Sequence, residues 1–349
     1  MLELRQLWQS VGSEPLFAGV NLTVPRGAPT SLVGISPAGR ARLMRLLNGQ
    51  ARPRRGFIRL DGEDVSGRRS RRRRVLRVGA EGYLRRAEAV AHVVGEACAA
   101  RVGLEKHLAE PTILLAPEQR VRLALAVALE AKPALLLLDA PAAGLGSEAR
   151  ARLAADLGAM TADVEGVVLL AAGGADEALG LGGRTVIVSG GFIQQSGSHG
   201  ELISQPASLT AARALAWPAL NCLPIRLEAG RIRLDDGAIL HLPEGLALPS
   251  AGRGVLVFHP AASRLAREGS DCIRFVSRAA GEHVVADRIY EKVSFAGSVW
   301  LAPRRAAPLE QGALLNLFVD VSSLYIFDEE GLPVRQLDAC HSPAPGADS

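Results

Sequence analysis

Residues 34 to 41 read Gly34-Ile35-Ser36-Pro37-Ala38-Gly39-Arg40-Ala41. The two glycines have the spacing of G-x-x-x-x-G-K-[ST], a turn whose backbone N–H groups, with a helix N-terminus, cradle phosphate oxygens. The apolar stretch Thr30 to Val33 before it predicts a strand. Leu43, Leu46 and Leu47 after it predict a helix that stops at Asn48-Gly49. The order strand, loop, helix is what such a turn needs, but its chemistry has been exchanged. Arg40 stands at the lysine position, and a wide planar guanidinium is no substitute for a slim ammonium. Ala41 offers Mg²⁺ no oxygen. Pro37 lacks an N–H and has a fixed φ, although Gly34 and Gly39 still permit the cradle's backbone path. Taken alone, the loop fits an ordinary glycine-rich turn equally well.

Working outward, residues 1 to about 82 read as short strands around this helix, and Glu81 to Leu108 is Ala-rich and helical in character. A helix over Val121–Leu129 leads to the apolar strand Ala134–Leu138, which ends at Asp139. Then come a helix (Glu148–Met160), a strand (Gly166–Ala172), a short helix (Asp176–Leu181) and a strand (Thr185–Ser189). Helices alternating with wholly apolar strands predict a parallel α/β sheet. From about Trp217 the pattern becomes brief alternating segments broken by Gly and Pro: Ile225–Leu227, Ile232–Leu234, Ile239–Leu242 and Val255–Phe258. That is an all-β signature. The expected division is one domain over residues 1–212 and a second, β-rich domain over 218–349, with a short C-terminal tail.

The chain of 349 residues is long enough for two cores. No run approaches the ~18 apolar residues of a membrane span, and the first residues lack a signal-peptide profile. Cys98, Cys222, Cys272 and Cys340 have no metal-binding spacing, which suits a reducing compartment and buried thiols, and the seven histidines form no ligand cluster. No metal site is expected. Three lysines stand against 37 arginines, a bias of composition. The basic block from Arg68 to Arg74 has no interleaved aromatics and reads as a solvated loop before a lipid or nucleic-acid contact.

In order, these segments resemble the ATP-binding subunits of ABC transporters. Asp139-Ala140-Pro141-Ala142-Ala143-Gly144-Leu145-Gly146 is similar to the Walker B and D-loop region, and Gln119 to Ala126 to the helix behind the signature. Glu177-Ala178-Leu179, Gly182 to Val188 and Gly190 to Gly197 follow the end of such a domain. Phe258-His259-Pro260, Ser294 to Ser298 and Leu324 to Asp328 resemble the accessory OB-like (TOBE-type) domain of carbohydrate and polyol importers of the maltose or glycerol type. The resemblance implies a P-loop NTPase-like α/β domain with a mostly parallel sheet, then the β-rich domain. It also implies ATP and Mg²⁺ as ligands, a dimer, membrane-spanning partner subunits with a second ATPase subunit, and a cytoplasmic position on the inner face of the membrane.

The losses are as ordered as the matches. Val11 stands at the aromatic that stacks on adenine. Asp139 keeps the Walker B carboxylate, but Ala140 replaces the following glutamate and Gly146 the D-loop aspartate. Gly173, within Ala171-Ala172-Gly173-Gly174, replaces the switch histidine. The Q-loop glutamine is absent from Gly82 to Leu84, and the signature is reduced to Leu115-Ala116-Pro117-Glu118. The helical stretch that meets membrane subunits is shortened. Phosphoryl transfer depends on positioning and charge stabilisation, and loss of one such donor costs about 2.7–4 kcal/mol. No functional catalytic residue is therefore expected. Positions 34 to 41 with Asp139 form a vestigial nucleotide site, and Asp139 reads more readily as hydrogen-bonded to a nearby loop than as a metal ligand. Three functions compete. One is an inactive pseudo-ATPase partner or regulator in an importer, although its ruined signature would also deprive a partner's site. Another is a pseudoenzyme scaffold outside transport, and the weakest is nucleic-acid binding.

Overall fold

Four runs of buried apolar residues, Leu135–Asp139, Val167–Ala171, Thr30–Val33 and Arg184–Ser189, lie side by side as parallel strands. Such runs form where both faces of a sheet are covered. The computed structural model describes residues 1–67, 74–83, 87–216, 218–228, 231–234, 237–240, 251–267, 272–285, 288–304 and 309–336. Most of the basic block, Arg68 to Arg73, and Leu84, Trp217 and Cys340 lie outside them.

The described chain divides into two units, Met1–Ser204 and Gln205–Ser349. In the first, strands β1 (Leu2–Val11), β2 (Glu14–Val24), β4 (Arg55–Leu60) and β5 (Glu63–Asp64) form an antiparallel sheet in the order β2-β1-β4-β5. The second sheet contains β3 (Thr30–Val33), β6 (Val75–Gly79), β7 (Leu135–Asp139), β8 (Val167–Ala171), β9 (Arg184–Ser189) and β10 (Phe192–Ser198) in the order β10-β9-β3-β8-β7-β6. All its pairings are parallel except β9 with β10. One core joins both sheets to helix α1 (Pro37–Leu47), with Leu4, Phe17, Leu32, Leu43, Leu46 and Leu137 all buried.

The remaining helices of this unit are α2 (Glu96–Arg101), α3 (Pro117–Glu130), α4 (Ser147–Thr161), α5 (Ala175–Leu181) and α6 (His199–Ser204). The stretch 81–108 departs from the helical expectation: α2 is its only α-helix among the described residues, flanked by 3₁₀ turns. Gly82 and Gly103 adopt φ of +62° and +75°, left-handed values that end a helix rather than extend it.

Helix α7 (Leu209–Leu215) belongs to the second unit, where Leu209 N–H donates to Gly331 O at 2.8 Å. The unit is β-rich. One antiparallel sheet runs β13 (Ile239–Leu240), β12 (Arg231–Arg233), β11 (Asn221–Glu228), β14 (Ala251–Phe258), β20 (Tyr325–Asp328), β21 (Pro333–Gln336). The other runs β15 (Ser263–Arg264), β19 (Leu314–Asp320), β16 (Cys272–Val285), β17 (Arg288–Phe295), β18 (Ser298–Pro303). Their shared core centres on Trp300, whose ring meets Phe258 and Phe275 edge-on at 5.1 and 5.2 Å. Cys98, Cys222 and Cys272 are half-buried thiols outside any disulfide rather than the buried ones expected.

One surface pair sets a pH test. Asp61 accepts from Arg26 Nη2 at 2.5 Å; that bond, opposed by partial burial and aided by the N-terminal ammonium, lowers its carboxyl from 3.8 to about 2. A depressed pKa contributes stability that is present above the unfolded value of 3.8 and lost as pH falls through about 2. Both side chains are over a third exposed, so solvent screening limits the pair to less than about 1 kcal/mol. In urea denaturation, Asp61→Asn is expected to cost that much at pH 7 and clearly less at pH 2, where the folded carboxyl is about half protonated. An equal loss at both pH values would show that the charge is not the cause.

Candidate functional site

Helix α1 begins inside the phosphate-binding pattern, at Pro37. Ser36 is its N-cap, with φ −61° and ψ 157°, and its hydroxyl accepts from Gly39 N–H at 3.2 Å. Arg40 N–H donates to Ser36 O at 2.8 Å, a helical bond. Pro37 is favoured at the first helical position, where its missing N–H would be an orphan anyway. The backbone path that Gly34 and Gly39 permitted is therefore not taken. Gly39 lies within the helix, and the Gly39 and Arg40 N–H groups that would face phosphate are engaged internally. Gly34 holds φ +84° with its Cα so close to β9 that a Cβ would sit 2.3 Å from Val188 O. A Cβ on Gly39 would lie 2.8 Å from the Ile35 side chain and 3.1 Å from Leu16, so apolar groups press on the turn. Ala38 and Ala41 add no polar group.

Asp139 ends β7 beside this helix. Its expected partner was a loop, but the structure gives it two guanidiniums instead. Arg77 on β6, the next strand, donates to Asp139 Oδ2 from Nε at 3.0 Å and Nη2 at 2.7 Å. Arg40 Nε lies 3.9 Å from Asp139 Oδ1, and Arg40 Nη1 donates to Ile35 O at 3.3 Å. Arg77 Nη1 also donates to Glu81 Oε1 at 2.5 Å. Burial disfavours the Arg77 charge, but hydrogen bonds and charge from Asp139, with those of Glu81, outweigh it and hold the guanidinium above its ordinary value. The carboxylate that could have met a cation is neutralised by side chains of this chain. Displacing Arg77 would break two charge-assisted bonds, each worth about 1.5–3 kcal/mol.

The positions that replace the glutamate and histidine adjoin each other. Ala140 is buried at φ +42°, and a Cβ on Gly173 would lie 3.0 Å from Ala140 Cβ. Gly173 neighbours Glu177 of α5, which is fully buried. Glu177 Oε1 accepts from Ala142 N–H at 2.7 Å and Oε2 from Gly173 N–H at 2.6 Å. Burial pushes this carboxyl above its ordinary range, against the two N–H donors. The neighbouring Asp176 is held in a two-pronged pair with Arg150 of α4, at 2.7 and 2.8 Å. Glu177 thus ties the loop after β7 to the loop after β8. It has no water or substrate position between itself and those amides, and its role is to hold the loops.

The reduced signature repeats the device seen at α1. Ala116 caps α3, Pro117 is its first residue, and Gln119 Oε1 accepts Ala116 N–H at 2.8 Å. Glu118 is buried against Arg122, which donates to Glu118 Oε1 from Nε at 3.0 Å and Nη2 at 2.8 Å. At Gly82–Tyr83 the backbone docks on α3, with Tyr83 N–H donating to Arg120 O at 2.8 Å. Among the described residues no group of three or more His, Cys, Asp or Glu is placed to hold a metal ion. The motif positions reveal the replaced residues, but not Arg77, Glu81 or the loop-tying bonds of Glu177. Arg77, an arginine inside the otherwise apolar β6, was the available signal.

A family model described as ABC transporter matches residues 17–143, the span from β2 through α1 to the loop after Asp139. A solved protein of Clostridium perfringens, described as part of an ABC transporter complex, aligns over 58% of this chain and 90% of its own at 20% identity and a TM-score of 0.51. The first unit has the fold of ABC transporter ATP-binding domains and contains the segment that the ABC transporter family model matches. Curated relatives align over both units. An Fe(3+) ions import ATP-binding protein of Escherichia coli K12 is 28% identical over 79% of this chain and 83% of its own. A sulfate/thiosulfate import ATP-binding protein of Bradyrhizobium diazoefficiens is 28% identical over 72% and 78%. An sn-glycerol-3-phosphate import ATP-binding protein of Paracoccus denitrificans is 24% identical over 93% and 96%. These relatives serve several solutes, so the carbohydrate and polyol resemblance is broadened to importer subunits of more than one kind.

Proposed function

We propose that this chain is a non-hydrolysing homologue of the ATP-binding subunits of ABC importers, assembling with membrane-spanning subunits and a second, competent ATPase subunit. The observation that carries this reading is the Asp139 carboxylate held by Arg77 and approached by Arg40, beside a phosphate turn already closed into α1. Import is supported by the relatives, whose printed names are those of import ATP-binding proteins. No helix among the described residues is long and apolar enough to cross a membrane, so attachment to the inner membrane face would come through partner subunits. A carbohydrate or polyol solute, glycerol included, is supported by the second unit's motifs and by the 93% coverage against the glycerol-3-phosphate relative.

Calorimetric titration of the purified chain with Mg-ATP is expected to show no binding tighter than about 1 mM, equivalent to about 4 kcal/mol. Micromolar affinity accompanied by phosphate release that disappears in Asp139→Ala would overturn the pseudo-ATPase reading. Co-purification with membrane subunits from the host membrane is the test of the transport assignment; recovery of the chain without them from every membrane extract would favour a scaffold outside transport.

A further inference from the structure

The outward face of the second unit's sheet β15-β19-β16-β17-β18 carries apolar side chains where polar ones are the rule. Burial alternates along β16 as far as Ala279 and along β19, with Ile273, Phe275, Leu315, Leu317 and Val319 in the core. The positions between them face outward. Three exposed aliphatics stand on this side: Val276 at 48%, Leu314 at 62% and Val299 at 67%. An antiparallel sheet with one covered face normally presents polar residues on the other.

Register sets these aliphatics among cations. Leu314 of β19, Arg278 of β16, Ser294 of β17 and Val299 of β18 stand side by side in one row. With neighbouring strands about 4.8 Å apart, the row is about 14 Å wide. Along β16, Val276 separates Arg278 from Arg274, which stands opposite Phe318. Lys292, opposite Leu301, and Arg288 continue the face along β17. Glu282 and Glu291 alternate to the other face, where Glu282 Oε1 lies 3.3 Å from Arg304 Nη2. Asp320 is the one carboxylate among the described outward strand positions, and its Oδ1 accepts both the N–H and the hydroxyl of Ser322. Glu310 precedes β19 in a turn. Arg278 Nη1 donates to Gly312 O at 3.4 Å, a bond to a neutral group. Among the described residues, Arg274, Arg278, Arg288 and Lys292 form no ion pair with a carboxylate.

The chemistry selects the occupant. A second copy of the same face would bring like charges together. Nucleic acid needs exposed rings for base stacking, but Tyr290 is buried here and Phe318 half-buried. A small ligand needs a cleft, and these side chains stand on a strand face. An acidic bilayer meets both features, with anionic headgroups for the cations and the acyl boundary for the aliphatics. We propose that this face docks on an anionic phospholipid surface through Arg274, Arg278, Arg288 and Lys292, with Val276, Val299 and Leu314 dipping between headgroups. The proposal deepens the importer reading with a direct lipid contact, yet its test needs no partner subunit, so either can fail alone.

The full chain would be sedimented with vesicles of equal parts phosphatidylglycerol and phosphatidylcholine, and with phosphatidylcholine alone. Each surface cation is worth about fivefold in affinity, so the mixed vesicles should bind at least about tenfold tighter, and less so in high salt. Arg274→Gln with Arg278→Gln should weaken that binding by about 25-fold, whereas Arg274→Lys with Arg278→Lys should retain it, because headgroup attraction follows charge. Val276→Thr with Val299→Thr, which keeps charge and β-branching, should weaken it about threefold or more. Arg55→Gln with Arg59→Gln, on β4 of the first unit, should change nothing. Thermal melting checks that each variant remains folded. Equal binding to the two vesicle types overturns the proposal, as does full binding by the Arg274→Gln, Arg278→Gln variant. Loss in the lysine pair or in the β4 variant overturns it too. Binding to soluble poly-L-glutamate as tight as to the mixed vesicles, with the threonine pair unaffected, would reassign the face to an acidic protein.

Discussion

Glu177→Leu is expected to destabilise the first unit by about 3 kcal/mol, the largest effect of any single substitution considered. Leucine is close in size and apolar, so the loss is not one of volume. It arises because Ala142 N–H, which is buried, and Gly173 N–H, which is partly buried, lose acceptors at 2.7 and 2.6 Å. An orphaned buried donor costs about 1–3 kcal/mol, and the two loops they belong to would no longer be tied. Glu177→Gln is the informative companion. Its carboxamide oxygen can accept one N–H, while its NH₂ would face the other donor, so it should lose nearly as much. Set against a total of about 5–15 kcal/mol, this should lower the melting temperature by roughly 10 °C at about 2–4 °C per kcal/mol. Urea denaturation followed by circular dichroism would measure it. A Glu177→Leu midpoint within experimental error of the unmodified chain would mean that the amides find other acceptors.

Glu177 also marks where sequence legibility stops. Its match to the end of an ATP-binding domain was visible, yet its partners lie 35 residues upstream at Ala142 and at Gly173, and only the fold brings them together. The same holds for Arg77, which reaches Asp139 across 62 residues because β6 and β7 are neighbours in the parallel sheet. The sheet itself was legible, since Leu135 to Leu138 and Val167 to Ala171 are too apolar to be anything but strands covered on both faces. Helix α1 was legible in its end, at Asn48-Gly49, but not in its start. Ser36-Pro37 is both the interior of a phosphate loop and a cap followed by a favoured first residue. Local capping won. In 81–108 the alanines suggested a helix, but Gly82 and Gly103 at positive φ divide the stretch into turns. Motif losses, by contrast, are read at single positions and need no tertiary information.

Restoring Arg40→Lys, Ala41→Ser and Ala140→Glu together should still leave steady-state phosphate release indistinguishable from that of the unmodified chain. The three changes return a charge, a metal ligand and a water-orienting carboxylate. They do not reopen the turn, because Pro37 still starts α1 and the Ser36 hydroxyl still takes Gly39 N–H. They do not free Asp139, which keeps its two bonds from Arg77. Nor do they recover the histidine: a side chain at Gly173 would put Cβ 3.0 Å from the Ala140 Cβ and 3.3 Å from Glu177 Oε2. Catalysis of phosphoryl transfer comes from groups acting as a unit, so restoring some of them recovers little. Adding Pro37→Gly and Arg77→Gly is the physically motivated next step, since it gives the turn its conformational freedom and unpairs the carboxylate. That five-fold variant should bind Mg-ATP measurably while remaining a poor hydrolase, because Ala116 and Pro117 still cap α3 without a glycine or a serine. Phosphate release and calorimetry on the three-fold and five-fold variants separate the effects. Robust turnover by the three-fold variant would show that Arg77 yields Asp139 readily and that the closed turn is no barrier, and the structural case against hydrolysis would fall.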